Sequence, residues 1–218
     1  MTRTIALTIV TMMAFAANSV LCRLALSHSA IDPASFTFVR LASGALALWL
    51  MIFVFGKHKS GGSWKGALTL IIYAIAFSLA YVSLPAGTGA LLLFGTVQVT
   101  MIATGLVQGE RLTFAQWAGL ASAMAGLVVL VAPGVSAPPP LGAALMVLSG
   151  VFWGIYSLLG RGSGDPAATT AGNFLRAAPL ALLPMVAMAG QLSIDAPGAL
   201  YASLSGIFAS GCGYILWY

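Results

Sequence analysis

The sequence predicts an all-α integral membrane protein, and three observations carry that prediction. Hydrophobic residues make up 60% of the chain and charged residues 6%, whereas about a quarter of a soluble domain is charged. The apolar residues come in runs long enough to cross a bilayer, since roughly 20 residues at about 1.5 Å each span the hydrocarbon. The polar residues gather in short breaks such as "SHSAIDP", "QGERLT" and "RGSGDPA". Barrel strands are excluded, because the runs are too long and do not alternate.

Eight spanning segments follow in order. The first, 4–26, imitates a secretory signal through Arg3, an apolar run and Ala14-Phe15-Ala16. The run continues past that point to Leu26, so it reads as a helix. The second, 34–55, follows Asp32-Pro33. Asp there caps free N–H groups, and Pro at the first helical position loses no bond. The third, 65–84, opens with Lys65-Gly66-Ala67-Leu68 and carries Tyr81 near its end. The fourth, 86–107, begins after Pro85 and holds the polar residues Thr96, Gln98 and Thr100. The fifth, 114–132, follows Gly109-Glu110-Arg111, with Glu110 read as a carboxylate favoured by the helix dipole. The sixth, 141–160, carries Trp153 and Tyr156 and a Gly150/Gly154 pair. That pair, like Gly105/Gly109, reads as a close helix contact. The seventh, 168–190, again follows Asp-Pro-Ala, and the eighth, 198–218, follows Asp195 and Pro197.

The net charge of +5 is explained by membrane topology. Arg3, Lys57, Lys59, Lys65, Arg111 and Arg161 fall on the side of the N-terminus, and the opposite breaks hold Asp32 and Asp195. The positive-inside rule therefore predicts a cytoplasmic N-terminus and a multi-pass protein of the bacterial inner membrane. No face interleaves basic and aromatic residues, so nucleic acid is not an expected partner. Cys22 and Cys212 lie in apolar runs and read as small core residues, not as a disulfide or a metal site.

The chain also repeats itself. "DPASFTFVRLA" at segment 2 is echoed by "DPAATTAGNFLRAA" at segment 7. Arg23/Arg161, Asp32/Asp165, Arg40/Arg176, Gly66/Gly198 and Tyr81/Tyr214 recur in order at nearly constant separation. A five-helix unit at 1–135 followed by a second copy at 136–218 explains this. An odd number of helices per copy inverts the second copy, which is a common architecture of secondary transporters. The second copy holds three segments, and nothing polar caps Ile215-Leu216-Trp217-Tyr218. Two further helices, matching segments 4 and 5, are thus expected for a complete protein, and transport is expected to need them.

The run "GALLLFGTVQVTMIATGLVQGERLTFAQWAGLASAMAGLVVL" at 89–130 and "LSGVFWGIYSLLGR" at 148–161 resemble the drug/metabolite transporter superfamily, specifically proteins built from two EamA-type repeats. The resemblance implies ten helices in two inverted repeats and a small-molecule cargo. It implies no cofactor. One departure is visible: many members carry Pro midway along helix 4, and this chain has Gln98 or a neighbour there.

No Asp or Glu lies at mid-membrane depth. That disfavours drug export through a buried proton-exchanging carboxylate, and it removes the general base an intramembrane hydrolase needs. The expected substrate-binding residues are the polar and aromatic groups inside the helices: Asn18, Tyr81, Thr96, Gln98, Trp153 and Tyr156. Gln98 is expected to face inward, because an amide in lipid is costly. Arg176 is read as the deepest charge. A carboxylate-binding cation facing a wet cavity is one reading; a side chain that snorkels or packs is the preferred one, and for Arg40 more strongly so. The function read from these features is a secondary transporter of small metabolites that works by alternating access. Amino-acid export is the cargo the resemblance implies. Uptake or exchange of another neutral or anionic metabolite, or a non-transporting scaffold or lipid-modifying role, are the alternatives. The expected partners are the lipid bilayer, the small-molecule substrate, and either the missing helices or a homo-oligomer.

Overall fold

The computed structural model describes residues 2–54, 61–131 and 137–212, with side chains for 9–54, 61–129 and 137–208. Every predicted segment contains helix, and the described residues contain no strand. The first six segments are α1 (Thr2–His28), α2 (Pro33–Val54), α3 (Trp64–Tyr81), α4 (Ala86–Val107), α5 (Phe114–Val131) and α6 (Pro140–Gly160). Five of them, α1 from Ile9 onward, α2, α3, α4 and α6, are long and apolar enough to cross a membrane. The expectations for Lys57, Lys59, Tyr214 and Ile215–Tyr218, and for the side chains of Arg3 and Cys212, lie outside the described residues.

The last two segments differ from the uninterrupted spans expected. Segment 7 is α7 (Pro166–Leu180) followed by α8 (Leu182–Ala187) and a 3-10 turn at Ala189–Gln191. Pro179 and Pro184 explain the break, since neither has an N–H for the helical ladder. Segment 8 is α9 (Ala196–Leu204), which widens into a π-helical stretch at Ser205–Cys212.

The helix starts follow the cap chemistry. Asp32 Oδ1 accepts from the N–H groups of Ala34 and Ser35, both at 2.9 Å. Asp165 accepts from Ala168 N at 3.1 Å, Asp195 from Gly198 N at 3.1 Å, and Ser63 from Gly66 N at 3.0 Å. The turn after α4 corrects two sequence readings. Gly109 (φ 93°) is left-handed, and its N–H bonds Leu106 O at 3.0 Å while Glu110 N bonds Gly105 O at 2.9 Å. This is a Schellman ending, so Gly105 and Gly109 close a helix and do not join two. Glu110 folds back over Gly105. The start of α5 is instead capped by Thr113 and Gln116, with Thr113 N donating to Gln116 Oε1 at 2.8 Å.

In the bundle, α3 packs against α6, α7 and α2, and α4 lies along the other side of α6. α2 crosses α7 and the Ser205–Cys212 stretch, and α1 packs against α9. α5 touches α4 and is otherwise largely exposed. Small residues set the closest approaches. A Cβ on Gly150 would stand 2.6 Å from Thr96 Cβ, and one on Gly154 would stand 2.9 Å from Thr100 Cβ, so the predicted glycine pair is a true α6–α4 contact. Buried hydroxyls add ties: Thr37 donates to Ser78 at 2.7 Å, and Ser149 to Tyr73 O at 3.2 Å.

The breaks before α2 and α9 are clasped together. Asp32 N donates to Ser193 O, Ser193 N to Asp32 Oδ2, and Ala30 N to Asp195 Oδ2, all at 2.9–3.0 Å. Burial opposes ionisation of Asp32, but Ser35, Ser193 and Ala34 outweigh it and hold its carboxyl below the usual range. The Ala30 N–H does the same for Asp195.

Two predictions follow. Gly150→Ala should cost about 1–3 kcal/mol through overpacking against Thr96, whereas Gly119→Ala, which meets open space on α5, should gain about 0.5–1 kcal/mol of helix stability. Thermal unfolding in detergent compares the two. Asp32→Ala should cost about 1 kcal/mol at neutral pH through the lost cap. Because the folded-state carboxyl ionises below its unfolded value near pH 4, that contribution is complete above pH ~4 and disappears as pH falls through the lower folded value. Melting curves of wild type and variant should therefore converge at strongly acid pH.

Candidate functional site

The buried centre of the bundle is an aromatic cluster contributed by four helices. Trp153 of α6 stacks at 5.8 Å on Tyr73 of α3 and meets Phe15 of α1 at 5.1 Å and Phe94 of α4 at 5.4 Å, both edge-on. Along α3, Tyr73, Phe77 and Tyr81 continue the cluster at centroid separations of 5.5 and 4.7 Å. Their four-residue spacing puts them on one face of the helix. Tyr81 closes one end, its ring over Gly89 and its hydroxyl donating to Ala86 O at 3.3 Å.

Polar groups meet this cluster. Asn18 Oδ1 accepts from Ser205 Oγ at 2.6 Å, tying α1 to the start of the π-helical stretch, and Cys22 Sγ lies 3.6 Å from both. The most buried charged side chain among the described residues is Arg40, 1% exposed. Its Nη2 donates to Tyr73 Oη at 2.7 Å, and its guanidinium lies 4.8 Å from the Phe77 ring centroid and 5.4 Å from that of Tyr73.

The two arginines have different surroundings. Arg176 is half-buried, and its Nη1 donates to Gly61 O at 3.0 Å and Gly172 O at 2.8 Å. Asn173 joins it by accepting from Ser63 N at 2.8 Å. The polar face of α7 therefore grips the chain's own 61–63 segment. Arg40 is enclosed because it shares the buried stripe of α2 with Phe36, Thr37, Leu41 and Gly44. That stripe was visible in the sequence as a helical period of apolar and small residues around Arg40.

The helix 4 residues separate for a geometric reason. Thr96 and Thr100 face α6, and each hydroxyl bonds its own helix, to Leu92 O at 2.7 Å and Thr96 O at 2.8 Å. Gln98 stands two residues from each, roughly 200° around the helix. It is exposed, not inward, and lines an apolar cleft of about 550 Å³ between α4 and α5 with Leu91, Phe94, Leu120 and Leu127. Tyr156 is buried in the same core, and its hydroxyl lies 3.5 Å from Asn173 Nδ2. Of the residues expected at one site, Trp153 lies within the aromatic cluster, Tyr81 at its end, Tyr156 in the same buried core, and Asn18 beside Ser205. Thr96 faces α6, and Gln98 and Arg176 lie apart.

A model of the EamA-like transporter family matches residues 2–132, more than half of the chain. The chain belongs to the EamA-like transporter family. An uncharacterised protein of Pseudomonas aeruginosa is 55% identical over 218 residues, covering 99% of this chain and 76% of its own length. A probable terminal-alkyne amino-acid exporter of Streptantibioticus cattleyicolor is 30% identical over 159 residues, 70% of this chain and 52% of that protein. An uncharacterised transporter of Archaeoglobus fulgidus is 30% identical over 164 residues, 69% of this chain and 54% of that one. The last two matches span about half the length of those relatives. A crystal structure at 21% identity superposes with a TM-score of 0.69, covering 97% of this chain and 78% of its own, and so shares the fold. The EamA-like chain is thus a multi-pass membrane protein whose surroundings are the lipid bilayer.

Removing the α7 grip should be readable locally. Asn173→Ala should leave Ser63 N–H without its acceptor and speed hydrogen exchange at 61–63, about tenfold for a net loss near 1.4 kcal/mol. Exchange in the core of α3 should stay unchanged.

Proposed function

We propose that this chain works as a secondary transporter of small metabolites, opening a central path alternately to the two faces of the bacterial inner membrane. The carrying observation is the pattern of helix pairing. α1 packs on α9 as α6 packs on α3, α2 packs on α7, and the contact of α2 with segment 8 is matched by that of α7 with α3. Exchanging segments 1, 2 and 3 for 6, 7 and 8 maps these pairings onto one another, which supports the inverted repeat with halves at 1–135 and 136–218; the contacts of α3 with α1 and α2 fall outside the match. The breaks pair in the same way. The residues before α2 are clasped to those before α9, and the residues before α3 are gripped by α7.

Two halves joined in this way can rock about a shared centre, with one clasp closed while the other opens. The aromatic centre with Asn18, Tyr81 and Trp153 lies between the clasps, where a cargo would cross. Charge supports a cytoplasmic N-terminus: Lys65, Arg111 and Arg161 stand at one end of the bundle, and Asp32 and Asp195 at the other. Arg23 lies toward the other end, where its Nη1 donates to the carbonyls of Tyr81 and Val82, both at 2.9 Å. The exporter from Streptantibioticus cattleyicolor supports amino acids or related compounds as cargo and export as the direction.

The test is flux into or out of proteoliposomes holding the full-length protein, screened against amino acids and organic acids. Trp153→Ala should lower flux at least about tenfold with expression retained. Cysteine at Gly164, an exposed position between α6 and α7, should react only with membrane-permeant reagents in intact cells. Labelling there by an impermeant reagent would overturn the orientation, and wild-type flux no greater than that of empty vesicles across the screen would overturn the transporter reading.

A further inference from the structure

We propose that Arg40, held by Tyr73 and Phe77, is the carboxylate-recognising group of the central path, and that the site takes a small carboxylate with an apolar or aromatic tail. The inference rests on the transporter reading and goes on to name the chemistry of the cargo.

The argument begins with depth. Arg40 lies seven residues beyond Pro33, about 10 Å into the membrane by helical rise, and its side chain is directed inward. Arginine at that depth near lipid can reach the interface along its own stem. Arg40 instead lies against the helix that forms the heart of the bundle, donating to Tyr73 Oη and facing the Phe77 ring. Both contacts leave a guanidinium charged: a phenol oxygen accepts from it, and an aromatic face attracts it. An ionisable group kept charged inside a membrane bundle marks a substrate path. The other inward arginines are differently employed, Arg23 on the end of α3 and Arg176 on the 61–63 segment.

Charge supplies the next step. The four acidic side chains of the chain are Asp32, Glu110, Asp165 and Asp195. Asp32, Asp165 and Asp195 stand at helix starts, and Glu110 folds over the end of α4. A carboxylate meeting Arg40 at its own depth has to arrive with the cargo. For the same reason no acidic side chain stands there to receive an ammonium group, so the α-amine of an amino acid would contribute little. The tail is specified by the surroundings. Tyr73 carries the guanidinium on one side and stacks on Trp153 on the other, with Phe15 and Phe94 beyond. A carboxylate drawn to Arg40 therefore brings its tail among aromatic rings. The centre is closed in this conformation, as it must be between openings to either face.

The test uses a matched set of probes: 3-phenylpropanoate, L-phenylalanine, L-phenylalaninamide and 2-phenylethylamine. Binding to the purified full-length protein is read as protection against thermal unfolding over a concentration series. The two acids should bind within about threefold of each other, and the amide and the amine at least about tenfold more weakly. Arg40→Met should abolish the preference for acids while melting cooperatively, Arg40→Lys should retain part of it, and Tyr73→Phe should weaken acid binding several-fold. Equal binding of amine and acid, an acid preference that survives in Arg40→Met, or no protection by either acid would overturn the proposal. Should Arg40→Met fail to fold, the probe series on wild type and Arg40→Lys decides. If the flux screen finds a transported compound while the acids fail to bind, this inference falls and the transporter reading stands. If the acids bind at Arg40 and nothing crosses the membrane, the reverse holds.

Discussion

The contact between α3 and α6 is the one on which the other packing depends. In lipid, pressing two apolar helices together gains little hydrophobic free energy, because the tails they leave are as apolar as the neighbours they meet. Close approach and hydrogen bonds must supply the difference. α3 offers Ala67, Ala74 and Ala80 as small buried residues, and α6 offers Gly142 and Ala143. Ser149 then bonds the α3 backbone at Tyr73. With α6 fixed, its glycines present notches to α4, and with α3 fixed, Tyr73 and Phe77 are presented to α2. The aromatic centre is the space that remains where these approaches cannot be equally close.

The same scarcity of driving force governs the charges. Each inward arginine is held by a different kind of partner. Arg23 takes the carbonyls that end α3, where the helix dipole favours a cation. Arg176 takes the carbonyls of Gly61 and Gly172, where glycine lets two backbones meet. Arg40 takes a phenol and two ring faces. Helix-end and loop carbonyls fix an arginine in place structurally.

Most of the fold was legible because lipid makes hydrophobic length a strong signal: the boundaries of the first six segments follow directly from their Gly, Pro and charged breaks. Segment 7 was misjudged because its hydropathy is continuous through Pro179 and Pro184, and hydropathy carries no information about a missing N–H. The candidate site was less legible. Thr96, Gln98 and Thr100 look like one polar cluster when read along the chain, but helical geometry places Gln98 opposite the two threonines. Arg176 seemed deeper than Arg40 when depth was counted from helix ends alone. What decides exposure is the neighbour across the bundle, and that α3 faces Arg40 with two aromatic rings depends on a register between helices that no local pattern encodes.

Under the inverted-repeat reading, Arg40 and Arg176 are matched positions. A strictly symmetric pair would place equal groups at equal depths and bind a cargo the same way from both sides. On that reading the matched positions have diverged. Arg40 lies in the centre, while Arg176 belongs to the grip on 61–63. The two clasps have diverged as well, one built on the carboxylates of Asp32 and Asp195 and the other on the amide of Asn173 and the guanidinium of Arg176. Opening the first frees two carboxylates that already meet water. Opening the second frees a cation already close to the membrane surface. The two steps therefore differ in free energy and in their response to pH and salt. Under the alternating-access reading, the duplicated fold supplies the motion, and the divergence of its charged positions supplies a preferred resting face and a cargo-binding centre belonging to one half.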